Sequence, residues 1–345
     1  MPATGIGRYV RQLVENLRLS VAVRLKPFVA SGQALPEGAS RLRPGLSAAE
    51  RAVWEQVAFP LAVARCGASV AHLPYYEGSP LMPVPLVLTV QDVDTVIRKG
   101  EYPRAFRLYY NRLFFLLARR AAVIVVPSRA TAEALSDIDD SISDKLHIIP
   151  YGHDPQLLGI RGRITLGATG RVLYCGGYGV RKRLDVLIRA FRRVRAKQPN
   201  AHLVLVGQVP DGVRRLIHDE RLSSAVELTG EVSDCALRRL YAEADVAVYP
   251  TANEGFGFPA LEALAAGVPL VASECSSIQE IVGDCAALVP VGAINEFADA
   301  ILEALEASSP VQFRARNGLQ RARRFTWSRC VELHVDAYRV AARSS

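Results

Sequence analysis

Apolar residues along the chain fall into short continuous runs, separated by longer stretches where they recur every three or four positions. Short runs read as buried strands, and the three-to-four spacing reads as amphipathic helices. In the first half, Val21–Val29, Val70–Pro74, Leu86–Val90 and Val123–Pro127 predict strands. Gly7–Leu19, Glu50–Arg65, Pro103–Arg120 and Arg129–Leu135 predict helices, and His147–Pro155 predicts a last strand and a turn. The second half repeats the rhythm more regularly. RVLYCGG precedes the helical RLDVLIRAFRRVRAKQ, HLVLVG precedes a polar helix near Pro210–Leu222, and VELTG precedes DCALRRLYAEA. VAVYP then runs through a glycine-rich loop into PALEALAAG, followed by PLVAS, IQEIV and AALVP, and a long helix from about Trp327 closes the chain. Strands alternating with helices predict parallel sheets joined by right-handed crossovers.

At roughly 100–200 residues per domain, 345 residues predict two cores. The segment Gln156–Thr169 is poor in large apolar side chains and holds three glycines, as a linker would. The expected division is 1–158, 159–325 and a terminal helix over 326–345 that packs back on the first domain. The fold class is therefore α/β, with two Rossmann-like, doubly wound domains facing across a cleft. Open parallel sheets bind ligands at the carboxyl ends of their strands.

Composition narrows the function. Half the residues are apolar and 22% are charged, which suits a globular chain. No apolar stretch reaches the 18 residues of a membrane-spanning helix. No basic stub followed by an apolar core opens the chain, so the expected location is cytoplasmic. Six cysteines are scattered without a C-x-x-C pair, which argues against zinc and for reduced thiols. The net charge of +8 is shared between the two halves and carried mostly by arginine. A nucleic-acid reader concentrates its charge on one module, so no nucleic-acid partner is expected. An arginine-rich background explains the surplus, as does a phosphate-bearing ligand or an anionic membrane surface. The segment EYPRAFRLYYNRLFFLLARR sets Arg104, Arg107, Arg112, Arg119 and Arg120 among aromatics. Such a helix suits a peripheral contact at the inner face of the membrane, or an ordinary domain core.

The most informative segment is YPTANEGFGFPALEALAAGVP, Tyr249–Pro269. A strand ends, a glycine-rich loop follows, and Pro259 opens a helix that Gly267 and Pro269 stop. The backbone N–H groups before such a helix form an anion site, and small glycines let a ligand approach. Glu254 in that loop and Glu262 on the first turn of the helix suit hydrogen bonds from sugar hydroxyls. Alternatively, they only complement the helix dipole. In CGGYGVRKRLDVLIRAF, Cys175–Phe191, a strand again runs through glycines into a helix, with Arg181, Lys182 and Arg183 at its entrance. Cations there oppose the helix dipole unless a diphosphate neutralises them, and a solvated charge run is the other reading. TGIGRYVRQLVENL repeats the glycine-then-helix device with Gly5 and Gly7. LVLTVQDVDT presents Asp92 and Asp94 as a D-x-D pair, a metal-chelating pattern or a helix cap.

Together these segments resemble the GT-B glycosyltransferases of family 4 over nearly the whole chain. EGFGFPALEA looks like that family's E-x7-E signature, and GGYGVRKRLDVLIRAF is similar to its donor-phosphate segment. VPSRATAEAL, IIPYGHD, VELTGEV and RRLYAEADVAVYP fall in the expected order, and TGIGRYV points to a subset associated with mannosyl transfer. The resemblance implies that Glu254 faces the donor sugar and Glu262 the ribose. Arg181, Lys182 and Gly177 then meet the diphosphate, while Phe256, Gly257 and Phe258 offer backbone N–H groups. Gly5 and Gly7 would form an acceptor-side loop. Members of the subset carry His-Asp after the fourth strand, and here Gln91 and Asp92 stand there, expected beside Glu254 in catalysis. Relatives also begin with a strand before TGIGRYV, so a first strand is expected to be missing.

The implied reaction is a retaining, metal-independent transfer of a hexose, with mannose favoured. The donor is a GDP- or UDP-linked nucleotide sugar and the acceptor a glycan or lipid-linked molecule, with no cofactor. Three alternatives stand beside it. They are a GT-A-like metal-dependent transferase using Asp92 and Asp94, a nucleotide-sugar epimerase or phosphorylase of the same fold, and a degenerate relative that binds sugar nucleotides without turnover.

Overall fold

The computed structural model describes residues 5–29, 40–41, 48–75, 78–93, 104–160 and 169–344. The chain divides into two units, Met1–Gly152 together with Trp327–Ser345, and His153–Thr326. This division precedes the expected 158/159 boundary for a physical reason. Leu157 is already buried, and the Gly159 N–H donates to the Ala265 carbonyl at 2.8 Å, so both belong to the second unit.

In the first unit, the apolar runs pair as four parallel strands in chain order. They are β1 (Ala71–Leu73), β2 (Leu86–Thr89), β3 (Val123–Val126) and β4 (Leu146–Ile148), with Leu88 opposite Ile124. β2 and β3 are buried at every position, as parallel strands covered on both faces must be. Helix α1 (Gly5–Leu19) buries Tyr9, Leu13 and Leu17, four residues apart on one face. Helix α2 (Arg104–Arg120) buries Leu113, Phe114, Leu117 and Ala118 in the core, and Leu116 is exposed. Helix α3 (Arg129–Ile138) is capped by Ser128, whose Oγ accepts the Thr131 N–H at 3.1 Å.

One expectation fails here, and one holds with a local irregularity. Val21–Val29 does not form a strand, and only Phe28–Val29 pairs, with Ser40–Arg41. Arg24 and Lys26 would have to be buried in a sheet, and Pro27 has no N–H to give its ladder. Glu50–Arg65 forms two α-helical pieces, Ala48–Val53 and Phe59–Arg65, joined by a π turn over Trp54–Ala58.

The C-terminal helix Trp327–Ala342 packs on α1, β2 and β3. It brings a buried hydrogen-bond chain whose direction follows from its ends. The Cys330 carbonyl only accepts, so His334 donates to it from Nδ1 at 2.8 Å. His334 Nε2 therefore accepts from Tyr9 at 2.9 Å, and Tyr9 accepts from Thr89 at 2.9 Å. Thr89 in turn accepts from His72 Nε2 at 2.8 Å, leaving His72 Nδ1 to accept from Tyr338 at 2.8 Å. Both imidazoles are neutral in this chain.

The second unit carries six parallel strands: β5 (Arg171–Cys175), β6 (His202–Val206), β7 (Val226–Gly230), β8 (Val246–Tyr249), β9 (Leu270–Ser273) and β10 (Ala287–Val289). Their spatial order is β10-β9-β8-β5-β6-β7. The chain builds outward from β5 through β7, then returns to the other side of β5 and builds outward again. The order reverses between β5 and β8, and the loops leaving their carboxyl ends start side by side. Helix α4 (Leu184–Lys197) follows the first loop, and helix α5 (Asp211–Asp219) follows β6. Helix α6 (Asp234–Glu243) follows β7, helix α7 (Phe258–Ala266) the second loop, and helix α8 (Ser276–Val282) β9. Among the described residues, no helix is long and apolar enough to cross a membrane.

The two imidazoles make stability pH-dependent. Burial lowers His334 to about 4, and burial followed by the neighbouring His334 holds His72 well below 6.5. The unfolded chain protonates first, so this contribution is complete above about pH 6.5 and is lost as pH falls toward 4. Each histidine accounts for up to about 1.4 kcal/mol per pH unit in that window. Thermal unfolding across pH 5–7 should show a steeper loss in the wild type than in His334→Gln, and equal slopes would contradict this assignment.

Candidate functional site

β5 and β8 are neighbours, and the two loops leaving them build the site. After β5 the chain runs through Gly176, Gly177, Tyr178 and Gly179 into a 3-10 turn, Val180–Lys182. Arg183 takes a left-handed conformation (φ 50°) and starts α4. The Tyr174 phenol donates to the Gly177 carbonyl and draws the loop onto the strand end. A Cβ on Gly176 would lie 2.8 Å from that phenol oxygen, so glycine is required there. Gly177 lies against Lys182, 3.6 Å from its Cε if it carried a Cβ.

The second loop brings Glu254 to the same place, with 8% of the residue exposed. Its Oε1 accepts from the Lys182 ammonium, from the Tyr249 phenol at 2.8 Å and from Thr251 Oγ1 at 2.8 Å. Its Oε2 accepts from Arg181 at 3.1 Å, and the same nitrogen donates to the Asn253 carbonyl at 3.1 Å. Lys182 also donates to the Tyr249 phenol at 3.1 Å, and so closes a triangle with Glu254. Burial alone would raise the Glu254 pKa, but Lys182 and Arg181 outweigh it and hold the carboxyl below its usual value. Arg183 binds both oxygens of Asp185, at 3.1 and 3.2 Å. The three cations expected to wait for a diphosphate are thus already matched by carboxylates of the chain itself.

Glu262 lies on the second turn of α7 rather than its first, because the helix begins at Phe258. It is 3% exposed, and its Oε2 accepts from Tyr241, on α6, at 3.0 Å. Every residue of α7 from Ala260 to Ala266 is buried. Phe256 packs edge-on against Phe258 and Phe325, with ring centroids 5.3 and 6.4 Å apart. Ser277 Oγ, at the start of α8, donates to the Glu254 carbonyl at 2.6 Å. Gly257 between the two phenylalanines has φ +107°, and a Cβ there would lie 2.4 Å from Ile278 Cδ1.

The remaining candidates sit in the first unit. Gln91 is buried, with Oε1 accepting from Tyr151 at 2.7 Å and Nε2 donating to the Pro74 carbonyl at 3.2 Å. Asp92 beside it is half-buried, and Asp94 lies outside the described residues. Gly5 and Gly7 are not in a loop before a helix, as expected, but in the first turn of α1. N–H groups there need no intrahelical partner, so glycine is tolerated in that turn. Gly177, Arg181, Lys182 and Glu254 are brought together; Glu262 is held separately on Tyr241. Sequence reasoning missed Tyr174, Tyr241, Tyr249 and Thr251. For Tyr174 and Tyr249 the available signal was a phenol near the end of a buried strand, which needs a hydrogen-bond partner; nothing in the sequence singled out Tyr241 or Thr251. Among the described residues, no three His, Cys, Asp or Glu side chains gather as a metal site.

Comparison with known proteins bears on both units. Residues 3–157 match the family model described as Glycosyltransferase Family 4, and residues 169–307 match the model described as Glycosyl transferases group 1. The O-antigen chain mannosyltransferase B of Escherichia coli is 30% identical over 54% of this chain and 50% of its own length. The MMP alpha-(1->4)-mannosyltransferase of Mycolicibacterium hassiacum is 30% identical over 75% of this chain and 66% of its own. The chain therefore spans from half to about two thirds of these relatives. The sucrose-phosphate synthase of Thermosynechococcus elongatus superposes with a TM-score of 0.79 at 22% identity, covering 98% of this chain and 94% of that one. That likeness establishes the GT-B fold.

The tight seat of Gly257 makes a direct prediction. Gly257→Ala should lower unfolding stability in urea by about 2–4 kcal/mol, from backbone strain plus overpacking on Ile278. A loss below about 0.5 kcal/mol would show that the loop accommodates a side chain.

Proposed function

The chain belongs to the family 4, group 1 glycosyltransferases, and from that premise we propose that it transfers a hexose from a nucleotide-diphosphate sugar to a glycan or lipid-linked acceptor. Mannose is the favoured sugar, because both relatives above are named mannosyltransferases. The observation that carries the reading is the convergence of Arg181, Lys182 and Glu254 where the strand order reverses.

Breaking the bond to the anomeric carbon sends negative charge onto the departing diphosphate and positive charge onto the sugar. Arg181 and Lys182 stabilise the first charge, with the N-terminus of α7 adding its dipole. Glu254, kept ionised at neutral pH, opposes the second and accepts hydrogen bonds from sugar hydroxyls. Glu262, oriented by Tyr241, accepts from the ribose. Gln91 in this role contributes an amide in place of an imidazole; it hydrogen-bonds the sugar and does not titrate. Retention of configuration follows from the family resemblance, and no step in this scheme calls for a metal. A lipid-linked acceptor would bring the chain to an anionic surface, which liposome sedimentation with and without anionic lipid reads directly.

One observation favours a second reading, binding without turnover. Tyr151 and the Pro74 carbonyl hold both ends of the Gln91 amide where family members carry histidine. Donor binding with neither hydrolysis nor transfer would select it.

Glu254→Ala and Lys182→Ala should each lower turnover by about 10²–10³, as removal of one preorganised contact to a transition state does. Values within about threefold of wild type would remove these residues from the mechanism. EDTA should leave the rate unchanged, and abolition of activity would favour the metal-dependent alternative. Thermal shift against GDP-, UDP- and dTDP-sugars identifies the donor base.

A further inference from the structure

Glu254 is surrounded by donors on both carboxylate oxygens, and two of those donors are the cations assigned to the diphosphate. The Lys182 side chain is 11% exposed and that of Arg181 26%, so the three charges meet largely out of water. Such ion pairs hold only while each charge keeps its partner. A diphosphate reaching Arg181 and Lys182 meets cations that already carry a bound anion.

From this geometry we propose that Glu254 is a resident counter-ion: it occupies Arg181 and Lys182 until a diphosphate displaces it, and displacement frees its carboxylate for the sugar. The inference rests on the reading above, that a nucleoside diphosphate binds at these cations.

The exchange has a defined order of contacts. Tyr249 and Thr251 donate to Oε1 from the strand end and the loop root, and they can keep holding the carboxylate when the cations turn to phosphate. Oε2, which accepts from Arg181 in the resting site, then faces the sugar hydroxyls. A nucleoside diphosphate without its sugar bears the full cost of separating Glu254 from its cations. A nucleotide sugar recovers part of that cost through its hydroxyls. The site therefore discriminates for donor over the diphosphate product by an ion pair that re-forms as the product leaves.

A residue that touches only sugar leaves diphosphate binding unchanged, whereas a resident counter-ion weakens it. Isothermal titration in EDTA should compare pyrophosphate, GDP and UDP binding to the wild type, Glu254→Gln and Glu254→Ala. Gln is nearly isosteric, and its carbonyl can keep the Lys182, Tyr249 and Thr251 donors while its NH₂ turns Arg181 away. Circular dichroism checks the fold of each variant, and either one alone carries the comparison. Both variants should bind pyrophosphate and the preferred nucleoside diphosphate roughly three- to tenfold more tightly than the wild type. The corresponding nucleotide sugar should gain less. Unchanged or weaker diphosphate binding in the variants, with clear binding by the wild type, overturns the counter-ion role and leaves the diphosphate site standing. Absence of diphosphate binding to all three proteins overturns the site itself, and the counter-ion role with it.

Discussion

A carboxylate taken out of water stays ionised only if cations and hydroxyls replace the water, and Glu254 is where this chain meets that requirement. The replacements come from three places in the sequence: Arg181 and Lys182 after β5, Tyr249 at the end of β8, and Thr251 in the loop beyond. None of them can move far without stranding a buried charge. The two loops are therefore tied to each other as well as to their strands, and the Tyr174 grip on Gly177 fixes the far end of the first.

This arrangement depends on topology. In a sheet of order β10-β9-β8-β5-β6-β7, β5 and β8 are the neighbours whose crossovers run away from each other, so their loops part and leave room for a ligand. The loop residues are otherwise held by packing. Phe256 is wedged between Phe258 and Phe325, and the glycine beside it fits against Ile278 because it has no side chain. In the first unit the comparable device is neutral, a one-way chain of hydroxyls and imidazoles that ties the C-terminal helix to α1 and β2. Paired charges hold the second unit's site, and hydrogen bonding without charge ties the C-terminal helix to the first unit.

The strands of the second unit were legible because parallel strands covered on both faces appear as continuous apolar runs, as in RVLYC and VAVYP. Glu254, Lys182 and Arg181 were legible as residue types in the right loops. Their mutual pairing was not, because Lys182 and Glu254 stand 72 residues apart and nothing local links them. Arg183 and Asp185 are two residues apart, a pairing visible in principle. Tyr241 and Tyr249 read as apolar filler, since only the folded neighbourhood decides what a phenol reaches. Val21–Val29 was misread for the opposite reason: its apolar content suits a strand, but Pro27 and the charges around it do not. The helix was started two residues late, at Gly7, because a glycine before a helix and one in its first turn look alike in sequence.

The central claim is that Lys182 and Glu254 form one buried unit whose partners depend on each other. A double-mutant cycle in urea unfolding tests it most directly, using Lys182→Met, Glu254→Gln and the two together. Lys182→Met alone leaves a buried carboxylate short of its main cation and should destabilise strongly, and the double variant should recover much of the loss. The account predicts a coupling energy of about 1–3 kcal/mol between the two positions. Additive effects of the two substitutions would contradict it.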